Sequence, residues 1–135
     1  FPEQWRHLVT DFSTELSQES YAKSKNDQTV EANYAATGFM LISRSCIEKI
    51  IEAKPEIKYT NDIDGYVDGG DNFYDIFQCK VNPDTKKYES EDYGFCKLWK
   101  SLGGEITVVP DISLGHRGFN TFYGNLKFQS NYFNL

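Results

Sequence analysis

A continuous apolar run that leads straight into a helical pattern most constrains the fold of this chain. Gly38 is followed by four apolar residues, 39–42, and such a short run after a glycine is typical of a strand buried on both faces. Ser43 can cap the helix that follows, which must end before Pro55. A strand that feeds a helix directly indicates an α/β layer fold. The apolar positions of this helix have helical spacing: Cys46, Ile47, Ile50 and Ile51.

Two other stretches have the spacing of amphipathic helices. Apolar residues recur at helical intervals through residues 5–16, and Pro2 ahead of them suits a helix entry. Residues 91–102 follow Ser90, an N-cap residue, and begin with two acids that the helix dipole favours. The paired glycines 103–104 then close this helix in a left-handed cap.

Strands that alternate with helices favour an α/β fold in which a mixed sheet is flanked by helices. Residues 39–42 should form a central, buried strand, and residues 106–109 a second strand that Pro110 stops. We therefore expect residues 1–135 to form one domain or part of one. Its predicted helices are residues 5–16, 45–53 and 91–102.

The segments between these elements are polar or turn-forming. The glycines and aspartates of residues 60–72 predict an exposed, mobile loop, and residues 82–85 predict a turn. Residues 73–81 are apolar and aromatic, so a strand and a short helix remain alternatives there. Residues 114–118 predict a second loop, and an aromatic tail follows over residues 119–133.

The charge, aromatic content and cysteine count of the chain argue against several classes of protein. The 135 residues carry 14 Lys and Arg against 20 Asp and Glu, a net charge of −6, which argues against nucleic acid as the main partner. Aromatic residues make up 16% of the chain, unlike disordered chains, and the absence of a run of about 20 apolar residues argues against a membrane span. The three cysteines, Cys46, Cys79 and Cys96, are an odd number and cannot form a complete set of disulfides, which favours reduced thiols and a cytoplasmic protein. None of them stands in a C-x-x-C pair.

Glu91 and Asp92 are the first candidates for chemistry. At a helix N-terminus, backbone N–H groups and the dipole hold a carboxylate in place. Such a carboxylate can take a proton from a substrate hydroxyl when it faces a cleft. Acids are also common there for stability alone, and spacing by itself favours that ordinary role.

His116 is the second candidate, because glycines flank it closely. Gly115 and Gly118 let the backbone approach a ligand, and the imidazole of His116 can ligate a metal or contact a diphosphate. Arg117 beside it can add a phosphate contact. Local sequence alone favours the alternative, a surface loop in which this histidine has no special role.

The acidic loop contains Asp62-Ile63-Asp64, which matches two metal-site patterns in part. An EF-hand fails because Gly65 comes too early in the motif. The D-x-D site of sugar-nucleotide enzymes normally ends an apolar strand, whereas residues 58–61 are polar. A solvated acidic loop is therefore the favoured interpretation.

The two tryptophans, Trp5 and Trp99, both fall on helical stripes, which favours positions in the core. The weaker alternative is an exposed Trp5 that forms a platform for a sugar ring.

Five segments, taken in order, resemble the C-terminal half of a GT-A-type glycosyltransferase domain of the bacterial, phage and large-virus kind. In that family an apolar T-G-F-M-L-I strand precedes an S-E-D helix, an L-G-G turn and a G-H-x-G loop. The resemblance runs from about residue 30 to residue 126, and residues 1–5 look like the family segment that leads into the acceptor side. The matching segments are residues 36–42, 90–96, 102–106, 114–118 and 122–126.

The resemblance implies a role for each matching residue. Asp92 would be the catalytic base, and Glu91 the neighbour that orients it or substitutes for it. His116 would contact the metal or the diphosphate. Thr37 and Gly38 would line the floor where the donor sugar and the acceptor meet.

The same resemblance implies a reaction. A sugar would move, with inversion, from a nucleotide-sugar donor to a hydroxyl of a glycan, lipid or protein, assisted by Mn²⁺ or Mg²⁺. The nucleotide-binding half of such a domain, with its D-x-D, would lie upstream of the T-G-F-M-L-I segment, and residues 1–36 contain no such motif. The setting would be the cytoplasm, of the host if the protein is viral. The alternative is a non-catalytic carbohydrate-binding or structural module that keeps the acceptor half of the fold.

Overall fold

The computed structural model describes residues 14–16, 19–20, 28–63, 65, 72–119 and 121–128. The strands are β1 (Thr14–Leu16), β2 (Val30–Ala35), β3 (Lys80–Val81), β4 (Tyr88–Glu89), β5 (Thr107–Val108), β6 (Leu114–Arg117) and β7 (Thr121–Gly124). The helices are α1 (Arg44–Ala53) and α2 (Glu91–Ser101), with 3₁₀ helices at Thr37–Phe39 and Pro55–Ile57. The presence of both strands and helices confirms the general α/β prediction.

The chain divides into two units. Unit 2 is the continuous segment Ala36–Gly104, whereas unit 1 combines the described residues up to Ala35 with those from Glu105 onward. Among the described residues of both units, every strand pair is antiparallel, so a mixed sheet is not seen there. No helix within these residues is long and apolar enough to cross a membrane.

The core of unit 1 is a three-stranded sheet in the order β1-β2-β5. In β2, Val30 and Ala32 are buried while Glu31 between them is exposed, the alternation expected of a strand with one covered face. Leu16 of β1 lies opposite Ala32 and is buried too. The predicted helix over residues 5–16 is therefore wrong at its end, because pairing with β2 makes residues 14–16 a strand. The rest of that predicted helix lies outside the described residues.

The predicted strand over residues 106–109 is found, shortened to β5. Ile106 is buried just ahead of it and its carbonyl oxygen accepts a hydrogen bond from the Ala32 N–H at 2.9 Å. Pro110, which is buried, lies in the turn that follows, as predicted.

The segment predicted as a second loop, residues 114–118, is instead largely strand β6. It pairs with β7, so that His116 lies opposite Phe122 and Arg117 opposite Thr121. The loop prediction was wrong because the glycines in this segment stand within or next to a hairpin ladder. Gly115 lies against the Tyr123 ring, where an added Cβ would sit 3.2 Å from a ring carbon.

In unit 2, α1 forms as its cap and apolar spacing predict. The Ser43 Oγ accepts a hydrogen bond from the Cys46 backbone N–H at 3.2 Å, the usual N-cap contact. Cys46 and Ile50 are buried, which places the apolar stripe of α1 against the core.

The second predicted helix is also confirmed, as α2. Phe95 and Cys96 are buried on it, and Gly103 just beyond its end has a φ of +77°, the left-handed conformation that glycine permits. Gly104 then lies under the Trp99 ring, where an added Cβ would come within 2.0 Å of a ring atom. Trp99 is partly covered, and the Lys49 ammonium lies 5.4 Å from its ring centroid.

The prediction of a central, buried strand over residues 39–42 is wrong. A 3₁₀ helix occupies Thr37–Phe39, and Met40 to Ser43 lead in extended conformation to α1. Phe39 is 73% exposed and Leu41 99% exposed, whereas the alternate residues Met40 and Ile42 are partly covered. The segment does not become a strand because, among the described residues, no neighbouring strand pairs with it.

The predicted turn at residues 82–85 is confirmed as the tip of the β3–β4 hairpin. Asn82 Oδ1 accepts hydrogen bonds from the backbone N–H groups of Asp84 and Thr85, at 3.0 and 2.9 Å. Residues 64 and 66–71 of the predicted mobile loop lie outside the described residues, and the mobility of that loop stays a prediction. Residues 73–81 are largely irregular, ending in β3.

Candidate functional site

Asp92 lies in the first turn of α2 and its carboxylate is held on one side. Asp92 Oδ1 accepts a short hydrogen bond from the Ser90 hydroxyl and another from the Tyr93 backbone N–H at 2.9 Å. Ser90 is the N-cap residue, but its hydroxyl serves Asp92 rather than a backbone N–H of the helix. Both contacts are on Oδ1, so within the described part of the chain Oδ2 has no hydrogen-bond donor. This oxygen is the atom of Asp92 that can accept a proton from a ligand.

Glu91, the other acid of the pair, is exposed and faces a thiol. Its Oε2 accepts a weak hydrogen bond from the Cys79 Sγ at 3.7 Å. Tyr88 of β4 joins this group: its hydrogen bond with Cys79 raises the pKa of the phenol, with a smaller contribution from the charge of Glu91. Glu91 therefore belongs to a surface cluster with Cys79 and Tyr88.

An ion pair with a buried carboxylate and a partly exposed lysine links the β3–β4 hairpin to α2. The side chain of Glu89 in β4 is only 6% exposed, and it accepts a short hydrogen bond from the Lys97 ammonium of α2. Asn82 Nδ2, from the hairpin turn, donates to the same carboxylate at 2.9 Å. The hydrogen bond from Lys97, with that from Asn82 second, holds the pKa of Glu89 below its ordinary value.

An open groove of about 400 Å³ lies elsewhere in unit 2. Its described lining is mostly aromatic and contains a single charged side chain: Tyr59, Tyr74, Asp75, Ile76 and Phe77. Tyr59 is 50% exposed and Phe77 is 39% exposed, so both rings reach solvent at the groove. We call these five residues the aromatic groove.

Two chain segments that are distant in sequence build this groove. Lys58 and Tyr74 form an antiparallel bridge. On either side of it, the Tyr59 N–H donates to the Phe73 carbonyl at 3.0 Å and the Asp75 N–H donates to the Ile57 carbonyl at 2.9 Å. This short ladder fixes the backbones that carry Tyr59, Tyr74 and Asp75.

The groove is attached to the helix that carries Asp92. Phe77 stacks on Phe95 with ring centroids 4.8 Å apart and an interplanar angle of 21°. Gly94 permits the close approach, since an added Cβ would lie 2.6 Å from the Gln78 carbonyl oxygen. Phe95 follows Asp92 by three residues, a rise of about 4.5 Å along a helix. The groove is therefore anchored to the same helix, α2, that carries Asp92.

His116 and Arg117, the predicted metal and phosphate residues, lie in β6 of unit 1, and both are exposed. Asp92 and Glu91 belong to unit 2. Within the described residues, no group of three or more His, Cys, Asp or Glu side chains is arranged to hold a metal ion. The described residues by themselves therefore do not form a complete site for Mn²⁺ or Mg²⁺, and His116 offers one ligand at most.

The remaining predicted site residues are placed as follows. Thr37 and Gly38 lie in the 3₁₀ helix before the exposed apolar segment, and nothing comes within 4 Å of a Cβ added at Gly38. The close backbone approach that would require glycine there is thus not formed by described residues. Trp5 lies outside the described residues.

No sequence pattern predicted the aromatic groove. Tyr59 and Tyr74 are separated by the Gly- and Asp-rich loop, and no spacing rule brings them together. The available signal was compositional: aromatic residues stand at both ends of that loop, at Tyr59 and again at Phe73 and Tyr74.

Comparison with known proteins adds no relative. No protein-family model matches the chain, and neither the curated proteins nor the solved structures give a significant match.

Proposed function

We propose that the chain is part of an inverting glycosyltransferase of the GT-A type, which transfers a sugar from a nucleotide-sugar donor to an acceptor hydroxyl. The proposal begins with the sequence resemblance. The observation that carries it furthest is the Asp92 carboxylate, with one oxygen held by Ser90 and Tyr93 and the other open. A base must be held in place and yet keep a free oxygen for the proton it receives.

The proposed step uses Asp92 as the general base. The acceptor oxygen attacks the anomeric carbon of the donor sugar from the face opposite the leaving group, so the configuration inverts. The hydroxyl proton goes to Asp92, and the bond from the anomeric carbon to the diphosphate oxygen breaks with its electron pair. The products are the new glycoside and the nucleoside diphosphate, with the proton on Asp92.

The proposal includes a divalent cation, Mn²⁺ or Mg²⁺, which would neutralise the departing diphosphate. His116 and Arg117 are the residues of this chain proposed to contact the metal–diphosphate. Because the described residues hold no complete set of ligands, no step is assigned to the metal. The nucleotide-binding half with its D-x-D, and the Rossmann-like sheet of that half, are likewise proposed to lie elsewhere in the enzyme.

A second candidate is a carbohydrate-binding module without chemistry. The aromatic groove favours it, because aromatic faces with one carboxylate can bind a sugar whether or not transfer follows. The two candidates share the sugar ligand and differ in whether Asp92 matters.

The test compares two carboxylate variants of the full-length protein in a sugar-transfer assay with a panel of nucleotide sugars and Mn²⁺. Asp92→Asn keeps the side-chain shape but removes the base, so turnover should fall by roughly 10²–10⁴ while donor binding changes little. Asp84→Asn, in the exposed hairpin turn of the same unit, is the matched control and should retain wild-type turnover. Wild-type transfer by Asp92→Asn would remove Asp92 as the base, and no transfer by any form would favour the binding module.

A further inference from the structure

We propose that the aromatic groove binds a pyranose ring of a neutral glycan, as the acceptor subsite of the reaction proposed above. The assignment of the groove to the acceptor rests on that proposed function, whereas the evidence that the groove binds a sugar is separate. It comes from the groove lining, its charge and its attachment to α2.

The size and form of the groove suit a single sugar. Its volume of about 400 Å³ falls within the range of about 300–1,000 Å³ that small-molecule sites occupy. The groove is open to solvent, and a chain of sugars can therefore enter it from the side. The short ladder between residues 57–59 and 73–75 holds its wall in place before any ligand arrives.

The lining matches the two-sided chemistry of a pyranose. A sugar ring has an apolar C–H face and a rim of hydroxyls. Aromatic rings such as Tyr59, Tyr74 and Phe77 supply apolar faces of similar size, and the tyrosine hydroxyls add polar tips. The Asp75 carboxylate is exposed at the groove and, among the described residues, has no side-chain hydrogen bond or ion pair, so it can accept bonds from sugar hydroxyls.

Charge selects a neutral glycan over the nucleotide. Asp75 is the one charged side chain in the described lining. A negative carboxylate repels the diphosphate of a nucleotide sugar but not an uncharged acceptor. The groove is therefore assigned to the acceptor rather than to the donor.

The position of the groove supports the same assignment. Phe77 of the groove stacks on Phe95, one helical turn after Asp92. The groove is thus attached to the helix that carries the proposed base. The groove would hold the glycan, and Asp92 would meet the hydroxyl that reacts.

The experiment titrates the full-length protein with three neutral probes, cellotriose, maltotriose and chitotriose, and with uridine diphosphate. Binding is followed by calorimetry. We expect at least one trisaccharide to bind, and Tyr59→Ala and Asp75→Asn each to weaken it tenfold or more. Both residues are exposed enough to be replaced without loss of the fold, which circular dichroism will verify. Tyr88→Ala removes another exposed tyrosine of the same unit and should bind the trisaccharide as the wild type does.

Asp92→Asn separates this inference from the proposed function. If the groove is the acceptor subsite, Asp92→Asn keeps trisaccharide binding and loses transfer, while Tyr59→Ala raises the KM for the acceptor with little change in kcat. Trisaccharide binding without sugar transfer by any variant would support the sugar site in the groove and contradict the proposed transferase function. Sugar transfer with a wild-type acceptor KM in Tyr59→Ala and Asp75→Asn would support the proposed transferase function and show that the groove is not the acceptor subsite. No binding of any trisaccharide, or competition by uridine diphosphate at the groove, would also overturn it.

Discussion

Lys97 on α2 donates a hydrogen bond to the buried carboxylate of Glu89 in β4, and this contact joins a two-stranded hairpin to a helix. The hairpin has only two residues in each strand. So short a ladder is marginal alone, and the ion pair, with Asn82 as the second donor, supplies the additional anchor.

Stability of unit 2 should therefore fall in acid. Hydrogen bonds from Lys97 and Asn82 hold the pKa of Glu89 below its ordinary value. A lowered carboxyl pKa stabilises the fold fully above the unfolded value of about 4.3, and that stabilisation is lost as the pH falls through the lower folded value. Urea unfolding at pH 7, 5, 4 and 3 should show this loss in the wild type and not in Glu89→Gln.

At pH 7, Glu89→Gln should lower the free energy of unfolding by about 1–2 kcal/mol, since Lys97 keeps contact with solvent after the change. The matched control is Glu48→Gln, which breaks an exposed pair with Arg44 and should change stability by less than about 0.5 kcal/mol. An unchanged acid dependence in Glu89→Gln would show that another group is responsible.

Gly94→Ala should destabilise the protein although alanine is the better helix former. The new methyl would lie 2.6 Å from the Gln78 carbonyl oxygen, which is backbone and cannot rotate away. We expect a net loss of about 1–2 kcal/mol in thermal or urea unfolding. Gly38→Ala, which meets no atom within 4 Å, should change stability by less than about 0.5 kcal/mol. A more stable Gly94→Ala would mean that Gln78 does not lie against α2.

Two N-cap serines should respond differently to alanine. The Ser43 hydroxyl caps α1, so Ser43→Ala should cost about 1 kcal/mol of stability. The Ser90 hydroxyl bonds Asp92 and makes no capping bond, so Ser90→Ala should cost less. Urea unfolding of both variants, beside Ser101→Ala at the far end of α2, measures the difference. Equal losses in the two N-cap variants would contradict the assigned contacts.

Ser90→Ala should instead affect the proposed reaction. Loss of a positioning bond of about 1–1.5 kcal/mol corresponds to roughly tenfold in turnover. Ser90→Thr keeps the hydroxyl and should restore most of the transfer rate, which a purely structural defect would not predict. The sugar-transfer assay with both variants decides this, and equal turnover in Ser90→Ala and the wild type would remove Ser90 as a positioning residue.

The three cysteines should react with iodoacetamide in a fixed order. Cys79 is exposed, whereas Cys46 and Cys96 are buried, and burial raises the pKa of the Cys46 thiol. The native protein should be alkylated at Cys79 first, and at the other two only after denaturant is added. Peptide mass spectrometry of timed samples measures this. Equal native labelling of Cys79 and Cys96 would contradict the buried position of Cys96.

Local signals predicted α1, α2 and the short strand β5, and failed where a segment's structure depends on a distant partner, as at residues 14–16 and 39–42. The start of α1 follows from the Ser43 cap and a nearby apolar stripe, whereas α2 begins after Ser90 although the Ser90 hydroxyl bonds Asp92 instead of capping the helix. The burial of residues 39–42 depends on a partner strand, which no local pattern supplies. The Lys58–Tyr74 bridge joins residues from either side of a loop, so no local pattern predicted the groove. His116 was assigned to a loop because its glycines were interpreted as turn signals rather than as positions in a hairpin.

The division of the chain into two units also sets the order in which they can fold during synthesis. Strand β2 leaves the ribosome before residues 36–104, and its partner β5 leaves after them. Unit 2 is continuous, so it can fold as soon as it has emerged, whereas the β1-β2-β5 sheet of unit 1 must wait for the later strand β5. Bringing β2 and β5 together across an unfolded segment of that length would cost about 4 kcal/mol in chain entropy. Prior folding of unit 2 shortens the disordered span, so a defect in the folding of unit 2 would leave the β2 edge that faces β5 with unpaired backbone N–H and C=O groups, open to aggregation.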